Sequence, residues 1–252
     1  MITPLTIGMP GEPLPYLPNA DWMITTLLFF CILLTSFAFS KEKKYLLQQI
    51  KASLSSRERS SMFDESAIGG SRYSFLLKIH TTVLLGFYIY HYYASHLPLL
   101  FEKVPHIALL AGFIVAIGIF ILLKCTLYQS INWVFFQKVR NSIWIESFFN
   151  IYIWTGILML PLVLLIVYFN ISSTTSLILV GALIIFAKIA LFWKCFSNFF
   201  EKIHGALHLI LYFCALEILP DLILWKGIEL MNGMKRKNQK SVMMILQHKK
   251  NI

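Results

Sequence analysis

The sequence predicts an all-α, polytopic membrane protein: a bundle of about six transmembrane helices with one or two amphipathic helices at the cytoplasmic surface. Apolar residues make up 58% of the chain and charged residues only 13%, and the mean hydropathy is +0.70. A soluble domain of 252 residues cannot hide that much apolar surface from water. In a lipid bilayer each apolar side chain already has a matching solvent, so we expect the bilayer to surround most of the chain.

Six apolar stretches are long enough to cross a bilayer, since about 20 helical residues span its hydrocarbon core. They cover residues 22–39, 75–94, 107–123, 148–169, 177–196 and 206–225. Aromatic side chains such as Trp22, Trp144 and Trp225 stand at several of their ends, where amphipathic rings favour the headgroup level. We therefore predict a single transmembrane helical domain over residues 21–231.

The two ends of the chain differ in composition from this domain. Residues 1–20 contain five prolines and no lysine or arginine, which predicts an extended outer arm leading into an uncleaved first span. Residues 232–252 form a basic tail.

Two polar stretches between the spans carry apolar residues at helical spacing. They are residues 42–54, with Leu46, Leu47, Ile50 and Leu54 on one face, and residues 126–140, with Leu127, Ile131, Val134, Phe135 and Val139. Both predict amphipathic helices that lie at the cytoplasmic surface or project from it. Residues 55–73 are rich in serine, glycine and charge without periodicity, which predicts a mobile loop.

The basic residues predict that the N-terminus lies outside. In that orientation most lysines and arginines of the loops face the cytoplasm, as the positive-inside rule requires. The cluster Lys235, Arg236 and Lys237 would lie outside if the sixth stretch crosses the membrane. Either the tail violates the rule, or the chain around Glu217 and Asp221 turns back as a re-entrant hairpin.

Three charged residues fall inside the apolar stretches and form a candidate polar site near the membrane midplane: Lys188, Glu217 and Asp221. A charge at that depth costs about 2.5–3.5 kcal/mol on insertion scales, so each one needs a reason. One reason is a salt bridge that pins the fifth helix to the sixth. The other is a proton, cation or substrate site, to which the helix break at Pro220 would contribute a freed backbone carbonyl.

Weaker candidates lie in two other places. His204 and His208 form an HxxxH pair, but neither Glu217 nor Asp221 can share their helix face, so we predict no metal site. Glu146 and Asn150 stand one turn apart, and Glu146 is expected near a helix N-terminus, where the helix dipole favours an acid.

Several classes of function lack support in the sequence. The four cysteines form no CxxC pair, and no serine hydrolase motif occurs, so we predict no catalytic residue and no cofactor. The net charge of +10 resides between apolar stretches and is typical of topology signals, and no glycine-rich phosphate loop is present. We therefore expect no nucleic-acid partner.

The last apolar stretch is the most distinctive part of the chain. Its run LYFCALEILPDLILWK (Leu211–Lys226) resembles the C-terminal signature of an uncharacterised Bacteroidetes membrane family, domain-of-unknown-function family 4271. The matching positions are Tyr212, Cys214, Leu216, Glu217, Ile218, Leu219 and Pro220. The stretch FFNIYIWTGILMLPLVLL (Phe148–Leu165) is similar to the family's middle segment, whereas Asp221 and the basic tail depart from its pattern. The resemblance implies a bacterial inner (cytoplasmic) membrane location and no known activity, substrate or cofactor.

Three hypotheses for the function follow from these observations. The leading one is a non-enzymatic subunit or scaffold of an envelope assembly, with a membrane-protein partner or with self-association. The alternative is a small ion-coupled transporter that uses Lys188 and Glu217, although residues 22–123 and 148–225 show no inverted repeat. The third is a metal-dependent intramembrane enzyme built on His204 and His208 with Glu146 or His80.

Overall fold

The computed structural model describes residues 21–54, 67–96, 105–135, 138–169 and 171–199, together with Glu217, Asp221, Leu222 and Lys226. Helices account for all but a few terminal residues of these ranges, which contain no strand. The helices are α1 (Trp22–Leu54), α2 (Ala67–His96), α3 (His106–Phe135), α4 (Lys138–Tyr168) and α5 (Ser173–Phe199). The predicted all-α class is therefore confirmed for the described part of the chain.

Four of the helices are long and apolar enough to cross a membrane. The candidate spans are Trp22–Lys41 in α1, His106–Ser130 in α3, Trp144–Tyr168 in α4 and Ser173–Cys195 in α5. The predicted stretch 75–94 is helical within α2, but polar side chains such as Lys78, His80 and His91 lower its hydropathy, and it is not among the four. Of the predicted stretch 206–225, the structure describes only Glu217, Asp221 and Leu222, so the prediction that this stretch crosses the membrane lies outside the described residues.

The two predicted amphipathic helices are not separate elements. Residues 42–54 are the C-terminal part of α1, and residues 126–135 are the C-terminal part of α3. Residues 138–140 are the first residues of α4. No proline or glycine interrupts residues 22–54 or 119–135, so backbone hydrogen bonding extends each helix past its apolar part. The predicted loop 55–73 is also too long, because α2 already begins at Ala67.

Side-chain caps fix the starts of two helices. The Oδ1 atom of Asp21 accepts a hydrogen bond from the backbone N–H of Met23 at 3.0 Å, at the start of α1. The hydroxyl of Ser172 accepts one from the N–H of Thr175 at 3.2 Å, at the start of α5. Such caps satisfy backbone donors that have no partner within the helix.

Helices α2 and α4 occupy the centre of the bundle. Helix α2 contacts α1, α3 and α4, and α4 also contacts α1, α3 and α5. Glycines bring the backbones close: a Cβ at Gly156 of α4 would lie 2.6 Å from Cβ of Thr81 on α2, and one at Gly86 of α2 would lie 2.7 Å from Cα of Ile114 on α3. Small residues at helix contacts are typical of membrane bundles, where close packing drives association.

The apolar side chains divide between the helix contacts and the outer surface. The largest buried cluster joins α1, α2, α4 and α5 and includes Leu28, Phe87 and Met159. Large apolar side chains such as Phe30 and Ile119 are exposed, as a lipid-facing surface requires.

Candidate functional site

The candidate site is built from three parts of the chain. Lys124 lies on α3 and Lys188 on α5, each inside a candidate span. Glu217 and Asp221 stand four residues apart, and their carboxylates contact the same two lysines. Lys124 precedes Ser130 by six residues and Lys188 precedes Cys195 by seven, so each lysine lies about 9–11 Å from the C-terminal end of its span.

The four charged groups form one closed network. Lys124 Nζ lies 2.8 Å from Glu217 Oε2 and 2.9 Å from Asp221 Oδ1. Lys188 Nζ lies 2.7 Å from Asp221 Oδ2 and also contacts Glu217 Oε2. Each lysine therefore bridges both carboxylates, and the formal charges sum to zero. We call Lys124, Lys188, Glu217 and Asp221 the ion network.

Tyr128 completes the coordination of Glu217. Its hydroxyl donates a hydrogen bond to Oε1, the carboxylate oxygen that the lysines leave open. Tyr128 stands one turn after Lys124, so both side chains leave the same face of α3. Both oxygens of Glu217 are thus bound by donors of the protein.

Burial divides the ion network into two halves. The side chains of Glu217 and Lys124 are 0% and 3% exposed, whereas those of Lys188 and Asp221 are 30% and 38% exposed. A fully enclosed ion pair tolerates the loss of a partner poorly, because the remaining charge cannot return to water. Glu217 and Lys124 are therefore the more sensitive half.

An apolar cluster beside the ion network holds Tyr128 in place. The ring of Tyr128 lies 5.6 Å from that of Trp144 and 5.3 Å from that of Phe148, both on α4. Leu191 and Cys195 of α5 are buried in the same cluster. Because they follow Lys188 by three and seven residues, the buried face of α5 is the one that carries the lysine.

The predicted residues Lys188, Glu217 and Asp221 lie together, but sequence reasoning missed Lys124 and Tyr128. The third predicted apolar stretch ends at residue 123 and so excludes Lys124, whereas the candidate span continues to Ser130. One signal was present: two carboxylates against a single lysine leave an unmatched negative charge, which requires a second cation.

The weaker candidates have no place in this site. Glu146 and Asn150 lie on α4, but the expectation that Glu146 stands near a helix N-terminus is wrong, because α4 begins eight residues earlier at Lys138. His204, His208 and Pro220 lie outside the described residues. Within the described part of the chain, no group of three or more His, Cys, Asp or Glu side chains is arranged to hold a metal ion.

A second group of polar contacts lies among α1, α2 and α4, and it is uncharged. His80 Nε2 and the hydroxyl of Thr35 are 3.1 Å apart, and the hydroxyls of Thr82 and Tyr152 are 2.9 Å apart. His80 and Thr35 are buried. Such hydrogen bonds join helices whose surroundings offer no water.

Comparison with known proteins assigns the chain to a family without assigning an activity. The model of the family described as "Domain of unknown function (DUF4271)" matches residues 24–228, which is most of the chain and includes the whole ion network. No curated protein and no solved structure matches the chain. The chain therefore belongs to the DUF4271 family, a domain of unknown function.

Proposed function

We propose that this protein is a non-enzymatic component of a bacterial inner-membrane assembly, a subunit or scaffold whose ion network fastens its C-terminal segment to α3 and α5. One observation carries the proposal: both oxygens of Glu217 are already bound by Lys124, Lys188 and Tyr128. A carboxylate that binds a substrate or a transported cation needs an open coordination position. The side chain of Glu217 is 0% exposed, so no incoming ion or substrate meets it from water, and the formal charge of the ion network is already balanced.

The purified assembly tests this proposal. A tagged chain expressed at native level is extracted in a mild detergent, and the mass of the particle is measured by native mass spectrometry. The expected result is a stoichiometric complex well above the 29.1 kDa of one chain. The variant that removes Lys188 and Asp221 together (K188M/D221N) keeps the formal charge balanced and should retain the same partner.

A homogeneous monomer in native membranes would contradict the proposal. A matched control is Lys41→Met, which removes an exposed lysine of α1 and should leave the complex unchanged.

A second candidate function, a small ion-coupled transporter, is favoured by the partly exposed half of the ion network. Lys188 and Asp221 are partly exposed, so an ion or proton could reach them without disturbing Glu217. Proteoliposomes that contain the protein and a pH-sensitive dye test this reading. Proton or cation flux that is lost in Asp221→Asn, in a variant that folds normally, would favour transport over the scaffold.

A further inference from the structure

We propose that the ion network controls whether Glu217 and Asp221 enter the membrane: the two carboxylates leave water only when both Lys124 and Lys188 are in place to neutralise them. The ion network would then form after α3 and α5, and its formation would hold Glu217 and Asp221 in the membrane. The inference rests on the fastening role that the proposed function gives to the ion network, but it is tested by alkylation of Cys214 rather than by the mass of the complex, so the two can fail separately.

Chain order is the first part of the argument. The lysines lie in α3 and α5, which are long and apolar enough to cross a membrane although each candidate span contains a lysine. Glu217 and Asp221 follow later in the chain, in a stretch that carries two acids one turn apart. Two negative charges in hydrocarbon are costly unless a partner is already there.

The contact pattern shows what that partner must be. Each carboxylate contacts both lysines, with Lys124 between Glu217 and Asp221 at 2.8 and 2.9 Å. One lysine alone would leave a net charge of −1 in a place where Glu217 has no contact with solvent. The balance of charge across the whole ion network, rather than any single ion pair, therefore decides whether Glu217 and Asp221 stay in the membrane.

Cys214 stands three residues before Glu217, so the reactivity of its thiol tests whether Glu217 has entered the membrane. Native membranes are treated with a water-soluble maleimide, and alkylation of each cysteine is followed by mass spectrometry. Cys31 is buried on α1, away from the ion network, and serves as the internal reference. The expected result is slow alkylation of Cys214 in the unaltered chain and an increase of tenfold or more in K124M/K188M, with the rate at Cys31 unchanged.

A compensating substitution then distinguishes an effect of charge balance from an effect of losing a lysine side chain. K188M alone should raise the rate at Cys214, whereas K188M/D221N, which is neutral, should return it to within about twofold of the unaltered chain. The control K41M should leave the rate unchanged. The proposal is overturned if K124M/K188M leaves Cys214 as slow as before, if Cys214 is already fast in the unaltered chain, or if K188M/D221N remains as fast as K188M.

Discussion

Two regions of the bundle use different chemistry to solve the same packing problem. Among α1, α2 and α4, close backbone contact at Gly156 and neutral hydrogen bonds such as Thr35 to His80 hold the helices together. Between α3, α5 and the C-terminal residues, four charges do so. A neutral hydrogen bond between membrane helices contributes only about 0.6 kcal/mol on average, so it tolerates loss. A buried ion pair does not tolerate the loss of one member, because the remaining charge has no solvent around it.

This difference predicts unequal responses to substitution in the two regions. The stability of the charged region should depend on whether charges are removed singly or in compensating pairs. The stability of the neutral region should depend on steric fit, and losses at separate positions there should add independently. Thermal unfolding of the purified protein in one detergent compares them.

The largest effect is expected for Lys124→Met, which leaves the enclosed Glu217 without its buried partner. The loss should be on the order of 3–5 kcal/mol, the range for breaking a buried ion pair. Lys188→Met should cost less, because Lys188 is 30% exposed and water can replace part of its contact. The double variant K124M/E217Q should recover most of the loss, and strictly additive losses would show that the two residues are not coupled.

Tyr128→Phe is expected to have the next largest effect. It removes one hydrogen bond to a carboxylate and keeps the ring that packs on Trp144. Hydrogen bonds to charged groups contribute about 1.5–3 kcal/mol. The same substitution in a chain that carries Glu217→Gln should cost clearly less. An equal loss in both backgrounds would mean that Tyr128 stabilises the fold through its other contacts.

In the neutral region, Gly156→Ala should destabilise by about 1–3 kcal/mol, the usual range for overpacking. The added methyl group would meet Cβ of Thr81 at 2.6 Å, and the helices would have to separate. Gly112→Ala is the matched control, since nothing lies within 4 Å of the added atom. It should be neutral or slightly stabilising, because alanine favours a helix. Similar losses at both positions would refute the close approach of α2 and α4.

The smallest effect is expected for Tyr152→Phe, which removes the hydrogen bond between Tyr152 and Thr82. A loss of about 0.6 kcal/mol would match the average for such contacts in membrane helices. A double-mutant cycle with Thr82→Val isolates this contact from the bond that Thr82 also donates to the carbonyl of Lys78. A coupling as large as that of Lys124 with Glu217 would remove the distinction between the two regions.

The sequence by itself determined the class of the protein and most of its helices. Long apolar runs form helices in a bilayer, because every backbone group must bond within its own segment. Lys188, Glu217 and Asp221 were also visible, since a charge inside such a run is unusual wherever its partner lies. These inferences rest on the local sequence, and the helices and the position of the three charges follow from it.

Only the tertiary structure decided how far the helices extend and which side chains meet. Helix α1 continues to Leu54 and α3 to Phe135, because no local signal ends them where the apolar residues end. Lys124 and Tyr128 meet a carboxylate 93 and 89 residues away. The sequence shows each of them as an ordinary residue at the end of an apolar run. The contact depends on which faces of α3, α4 and α5 pack together, and helical periodicity within one segment cannot encode that choice.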